Sequence, residues 1–251
     1  MKKNFPITEL PSKNSVSIDK LTTLDGLKLM LEDQKKAILA VEKNLFNLEK
    51  VVEKIYLHLK KYPNGRLIYC GAGTSGRIGV QDGVELYPTF GWPKKRISFI
   101  IPGGKKALTE SLENVEDDTK LALVEANKIL FSKSDVLICI AASGNTPFSV
   151  KVLEVANDKG SLTLAISNNP KGKIQKLGNM KILLNTKEEI IAGSTRLKAG
   201  TSQKVCLNLI SSLVMTKLGN VKNGLMINLV PTNKKLKQRK EMINNYLNEF
   251  I

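Results

Sequence analysis

Five short apolar runs, Leu67–Cys70, Ile97–Ile101, Val136–Ile140, Leu162–Ile166 and Ile182–Leu184, recur from residue 66 onward and are separated by segments of helical period. Short unbroken runs fit strands buried on both faces, and strands spaced by helices join as parallel neighbours. The pattern therefore confines the chain to the α/β class, with a five-stranded parallel sheet between two helical layers. Phe148, Val152 and Val155 mark one covering helix. Lys198 to Leu218 marks a longer one, carrying Val205, Leu209, Leu213 and Met215 at helical spacing. Ahead of the strands, Ile18 to Lys61 reads as helical, with Val41, Leu45, Leu48, Val52, Ile55 and Leu59 forming one apolar stripe. Without a low-complexity linker or internal repeat, one domain is expected: a helical extension over 1–61, an αβα core over 62–220 and a C-terminal segment over 221–251. That last segment is basic from Lys234 to Lys240 and returns to helical spacing from Met242 to Ile251, as a docked or dimer-packing helix would.

The ends of the strands carry the chemistry. The first run passes directly into Gly71-Ala72-Gly73-Thr74-Ser75-Gly76-Arg77. Glycines let a backbone approach an anion, Thr74 and Ser75 add hydroxyl donors, and the helix expected near Ser75 directs its free N–H groups at the same place. The spacing departs from the Gly-x-Gly-x-x-Gly fingerprint of dinucleotide sites. A second junction, Ala141-Ala142-Ser143-Gly144-Asn145-Thr146-Pro147, repeats the arrangement, with proline where a helix can start. Turns of this kind at neighbouring strand ends would converge on the crevice where open α/β sheets bind ligands. A third cluster, Gly193 to Thr201, adds Ser194, Thr195, Arg196 and Lys198. Ordinary helix capping by Ser143 and Thr146 is the competing explanation for each turn alone.

Composition excludes several other classes. The 251-residue chain has a net charge of +16, yet only five of its 39 cations are arginines and aromatics make up 5%. Nucleic-acid sites favour arginine with interleaved aromatics, so the lysines are expected to be a solvated, anion-attracting surface, with no nucleic-acid partner. No run approaches the ~20 apolar residues of a membrane span, and Met1-Lys2-Lys3 is not followed by a signal-peptide core, so a cytoplasmic location without membrane association is expected. Cys70, Cys139 and Cys206 lie far apart in apolar segments, as reduced core residues do. With His58 as the single histidine, neither a histidine metal site nor a Ser/His/Asp triad is expected.

Carboxylates are the remaining candidates for chemistry. Asp82 and Glu85, three apart, share a helix face, and Glu113, Glu116, Asp117 and Asp118 form a second group. A carboxylic acid and a carboxylate on opposite sides of a substrate can take a carbon-bound proton and protonate a leaving oxygen.

Taken in order, Gly71 to Arg77, Asp82 to Glu85, Pro88 to Gly91, Ala141 to Gly144, Gly193 to Thr201, Pro231-Thr232-Asn233 and the opening Ile18 to Leu24 resemble the N-acetylmuramic acid 6-phosphate etherases over nearly the whole chain. The resemblance implies a sugar isomerase (SIS) fold and a homodimeric, cofactor-free and metal-free lyase. Such a lyase splits the lactyl ether of its substrate into N-acetylglucosamine 6-phosphate and D-lactate. It implies Glu85 and Glu116 as the catalytic pair. Gly73, Thr74, Ser75, Arg77, Ser143, Gly144, Asn145, Thr146, Ser194, Arg196 and Lys198 are implied to surround the phosphate, the sugar or their charges. Asn145 stands where the family usually has arginine. A noncatalytic sugar-phosphate sensor like the glucokinase regulatory proteins, and a phosphosugar isomerase of the same fold, remain the alternatives.

Overall fold

The computed structural model describes residues 5–12, 17–231 and 233–248. All five expected strands form: β1 Leu67–Gly71, β2 Ile97–Ile100, β3 Val136–Ile140, β4 Leu162–Ser167 and β5 Met180–Leu183. Their order is β2-β1-β3-β4-β5 and every pairing is parallel. Successive side chains face opposite ways along a strand. In β1, Leu67 and Tyr69 therefore enter one core with Val136, Ile138 and Ile140 of β3. Ile68 and Cys70 enter a second core with Leu137 and Cys139. Two cores on one sheet explain why the strand sequences lack alternation.

The first core is closed by α1 Thr23–Glu42, α2 Leu45–Lys61, α3 Gly73–Phe90 and α7 Lys198–Met215, and the second by α4 Thr119–Ile129, α5 Pro147–Asp158 and the short α6 Ile174–Leu177. A hairpin of β6 Val221–Lys222 and β7 Leu225–Met226 follows, then α8 Lys234–Asn248. The Thr232 of the Pro231-Thr232-Asn233 motif and the end of the expected C-terminal helix lie outside the described residues. Within α8, Ile243 is buried while Met242 and Tyr246 are about half exposed.

Two apolar faces differ from the sequence reading. The N-terminal segment is two helices broken at Lys43 and Asn44, where the Asn44 amide donates to the carbonyls of Ala40 and Leu183. The break rotates the second helix, so Leu45 is 54% exposed and Val51 takes its place in the core. On α7 the buried stripe is Cys206, Leu207, Ile210, Val214 and Met215, whereas Leu209 and Leu213 face outward.

Candidate active site

The order β2-β1-β3 makes the carboxyl ends of β1 and β3 the switch point of the sheet, where the chain leaves in opposite directions and a crevice opens. Both exits are glycine-dependent. Gly73 opens α3 at φ 52°, and a Cβ on Gly76 would lie 2.4 Å from the Gly71 carbonyl oxygen. Both helices that start here lack side-chain caps: Ala72 precedes α3, and the Thr146 side chain does not cap α5. Both positive helix ends face the crevice, and the first N–H groups of α3 have no carbonyl within their helix. At α5, Pro147 has no N–H and the Phe148 N–H is taken by the Glu116 carbonyl.

The crevice is a cavity of about 220 Å³ lined by Gly73, Thr74, Ser75, Ser143 and Thr146 from these two exits, and by Glu116, Thr195 and Glu9 from elsewhere. Glu116 follows a 3-10 turn in the connection from β2 to α4, and its carbonyl accepts from the Phe148 N–H at 3.0 Å, which fixes it to the first turn of α5. Its carboxylate lies over Gly73, since a Cβ there would come within 3.0 Å of Oε1. Gly73→Ala is accordingly expected to cost roughly 1–2 kcal/mol for the left-handed backbone and to displace Glu116. Thermal denaturation beside an activity assay would show activity falling further than stability accounts for. No lysine or arginine side chain lines this cavity among the described residues. Backbone and hydroxyl dipoles supply its positive potential, and the two carboxylates supply its charge.

The structure does not bring every sequence candidate here. Glu85 lies exposed on α3 beside a second cavity of about 300 Å³ between α3 and α7. Beneath it, buried Asp82 accepts from the Tyr69 hydroxyl at 2.9 Å, Asn208 Nδ2 at 2.8 Å and the Ser211 hydroxyl at 3.0 Å. Burial first, and then the neighbouring Asp82, push the Tyr69 phenol well above its ordinary range. With three donors fixed on it, Asp82 joins β1 to α3 and α7. Arg77 donates to the carbonyls of Ala107 and Glu110, pinning the loop after β2, and is not among the residues that line the cavity. The amide of Asn145 bonds the Ser143 carbonyl and the Lys173 N–H, so it shapes the turn and its contact with the next loop. Gly144, at φ 70°, packs against Gly172, where a Cβ would be 2.6 Å from the Gly172 Cα.

The third turn differs most from expectation. Lys198 is buried, with Nζ on both oxygens of Asp33 at 2.8 and 2.9 Å, so it ties α7 to α1. The start of α7 is occupied by the chain's own anion: buried Glu189 accepts from the N–H groups of Lys198 and Ala199 at 3.2 and 2.8 Å. Burial pushes the Glu189 carboxyl up, against the pull of those two donors. Ser194 and Arg196 sit on the surface turn before α7, outside the cavity lining, while Thr195 between them lines it. The sequence reading also missed Glu9, which lies some 60 residues before β1 in a segment with no motif spacing.

A five-stranded parallel sheet of this order, with hydroxyl-bearing turns opening two helices at its switch point, is the build of an SIS domain. Residues 108–211 match the SIS domain model, and residues 50–157 match the model of the glucokinase regulatory protein N-terminal SIS domain. Among solved structures, a phosphoheptose isomerase from Francisella tularensis aligns with a TM-score of 0.60 at 17% identity, covering 78% of this chain and 100% of that one. One from Neisseria gonorrhoeae aligns at 0.56 and 16%, with the same two coverages. Sequence relatives are much nearer. The N-acetylmuramic acid 6-phosphate etherase of Mycoplasma mycoides is 44% identical over 92% of this chain and 76% of its own. That of Clostridium botulinum (strain Loch Maree) is 44% identical over 94% and 78%. The chain belongs to the N-acetylmuramic acid 6-phosphate etherase family.

Proposed function

We propose that the protein is a carbon–oxygen lyase that cleaves the D-lactyl ether of N-acetylmuramic acid 6-phosphate, giving N-acetylglucosamine 6-phosphate and D-lactate in cell-wall amino-sugar recycling. The carrying observation is the switch-point cavity, in which the open start of α3 and five hydroxyl side chains share the lining with Glu116. The start of α3, with Thr74, Ser75, Ser143 and Thr146, holds the phosphate. Glu116, placed against Gly73, takes the C2 proton of the ring-opened sugar. The C3–O bond then breaks with its electron pair on the lactate oxygen, which Glu85 protonates. Water returns hydroxyl to C3 and a proton to C2. An unprotonated lactate alkoxide is a poor leaving group, which is why an acid is required beside the base.

Glu85 lies in a separate cavity within one chain, and the proposal has a homodimer join the two. The two helices that line the Glu85 cavity suit this: Leu213 on α7 is 50% exposed and Val84 on α3 48% exposed. The working unit is one SIS domain over 1–251, in the cytoplasm. No helix among the described residues is long and apolar enough to cross a membrane.

D-lactate assayed enzymatically with the purified protein, beside Glu85→Ala, tests the proposal. Release by the wild type is expected, with a loss of at least about 100-fold in the variant and an unchanged melting temperature, because an exposed side chain is removed. Sugar-phosphate binding without lactate would move the assignment to an isomerase or a sensor.

A further inference from the structure

We propose that Glu9 is a specificity-determining residue of the switch-point cavity. Its carboxylate accepts hydrogen bonds from the hydroxyl or amide N–H groups of a sugar whose phosphate lies at the other end. The proposal rests on reading the cavity as a sugar-phosphate site.

Glu9 reaches the cavity through a built attachment. It ends a 3-10 turn over Ile7–Glu9, and Thr8 at the centre of that turn is 0% exposed. The Thr8 carbonyl accepts from the Gly193 N–H at 3.0 Å, clamping the turn to the loop before α7. That loop is shaped to receive the carboxylate. Gly193 has φ 75°, and a Cβ there would stand 2.7 Å from Glu9 Oε2, so only glycine allows the approach. Two residues on, Thr195 lines the same cavity, and its N–H bonds the Gly193 carbonyl at 2.9 Å.

Charge decides what Glu9 can recognise. The turns after β1 and β3 present donors, which suit an anion. Glu9 and Glu116 are the charged side chains lining the cavity among the described residues, and both are acceptors. A second carboxylate near a phosphate site accepts hydrogen bonds from neutral hydroxyl and N–H donors, and these bonds are strengthened by its charge. An N-acetylhexosamine phosphate has both halves of this pattern, with its phosphate at one end and hydroxyl and amide N–H groups at the other. Inorganic phosphate has only the first.

The two probes are N-acetylglucosamine 6-phosphate, which has no lactyl ether to lose, and inorganic phosphate. Their binding to wild type, Glu9→Gln and Glu9→Ala is followed by titration calorimetry. Loss of one charge-assisted hydrogen bond predicts about 10- to 100-fold weaker binding of the sugar phosphate to Glu9→Ala. Partial rescue is expected in Glu9→Gln, whose amide oxygen still accepts, and phosphate affinity should be unchanged or slightly raised in both. Equal weakening of both probes in the variants would show a merely structural turn and overturn the proposal. Unchanged sugar-phosphate binding in Glu9→Ala would also overturn it while leaving the cavity assignment intact. A wild type that binds neither probe would overturn the cavity assignment and Glu9's role with it.

Discussion

Replacing Glu116 by glutamine is expected to slow lactate release by about 10²- to 10⁴-fold, the usual contribution of a positioned acid–base group, while binding of the phosphate end persists. The substitution keeps the side-chain shape, so the close packing over Gly73 and the backbone bond from Phe148 survive. What disappears is the ability to hold a proton taken from carbon. Steady-state kinetics with N-acetylmuramic acid 6-phosphate, beside titration of N-acetylglucosamine 6-phosphate, separates the two effects. Activity within a few-fold of wild type would remove Glu116 from the mechanism. A joint loss of activity and of product binding would give it a binding role instead.

Asp135→Ala is expected to produce the largest loss of stability, about 3–5 kcal/mol, the cost of breaking a buried ion pair from one side. The Asp135 side chain is 1% exposed, and it accepts from Arg66 Nε at 2.9 Å and Nη2 at 2.7 Å, the Arg66 N–H at 3.2 Å and the Ser132 N–H at 2.9 Å. Arg66 continues to the carbonyls of Ile129 and Leu130, so one carboxylate ties the entry of β1 to the end of α4 and the entry of β3. In a chain of this size the melting temperature should fall by roughly 6–20 °C, and urea unfolding at neutral pH measures the loss directly. A change below about 1 kcal/mol, the range of an exposed pair, would show that the network is dispensable.

The same group gives a pH dependence of known sign. Burial alone would raise the Asp135 carboxyl, but the donors from Arg66 and Ser132 outweigh it and hold it below the ordinary carboxylate range. A depressed carboxyl stabilises the fold above its unfolded value, and this contribution is lost as pH falls through the folded one. Wild-type stability should therefore drop in acid by more than that of Asp135→Ala, and the two should converge at low pH.

These two sites differ in how far the sequence revealed them. The strands were legible because a parallel sheet covered on both faces leaves unbroken apolar runs, and the glycine turns were legible because only glycine allows so close a chain reversal. Helix faces were less so. Leu45, Leu209 and Leu213 have the right spacing, but a break at Asn44 and the packing of α7 between α1 and α3 rotated them outward. The hairpin of β6 and β7 carried an unread signal in Asn223-Gly224, both at positive φ, as a tight two-residue turn requires.

For the site, local motifs located the two helix starts and the turn carrying Thr195, and the carboxylate grouping with the family resemblance pointed to Glu116, whereas Glu9 carried no signal. Arg77 and Lys198 sit inside glycine-rich motifs that suggest a ligand, yet each is engaged by a protein partner. The pairing of Lys198 with Asp33 spans 165 positions, and Glu9 meets Gly193 across a similar distance. Such meetings are set by packing, which no local spacing encodes.

The most direct test of the central claim is the reaction of N-acetylmuramic acid 6-phosphate with the purified protein in heavy water, with both products analysed by mass spectrometry and NMR. Proton removal at C2 followed by water addition predicts D-lactate together with N-acetylglucosamine 6-phosphate carrying one deuterium at C2. Lactate released without deuterium at C2 would contradict elimination through Glu116, and absence of lactate would contradict the lyase assignment itself.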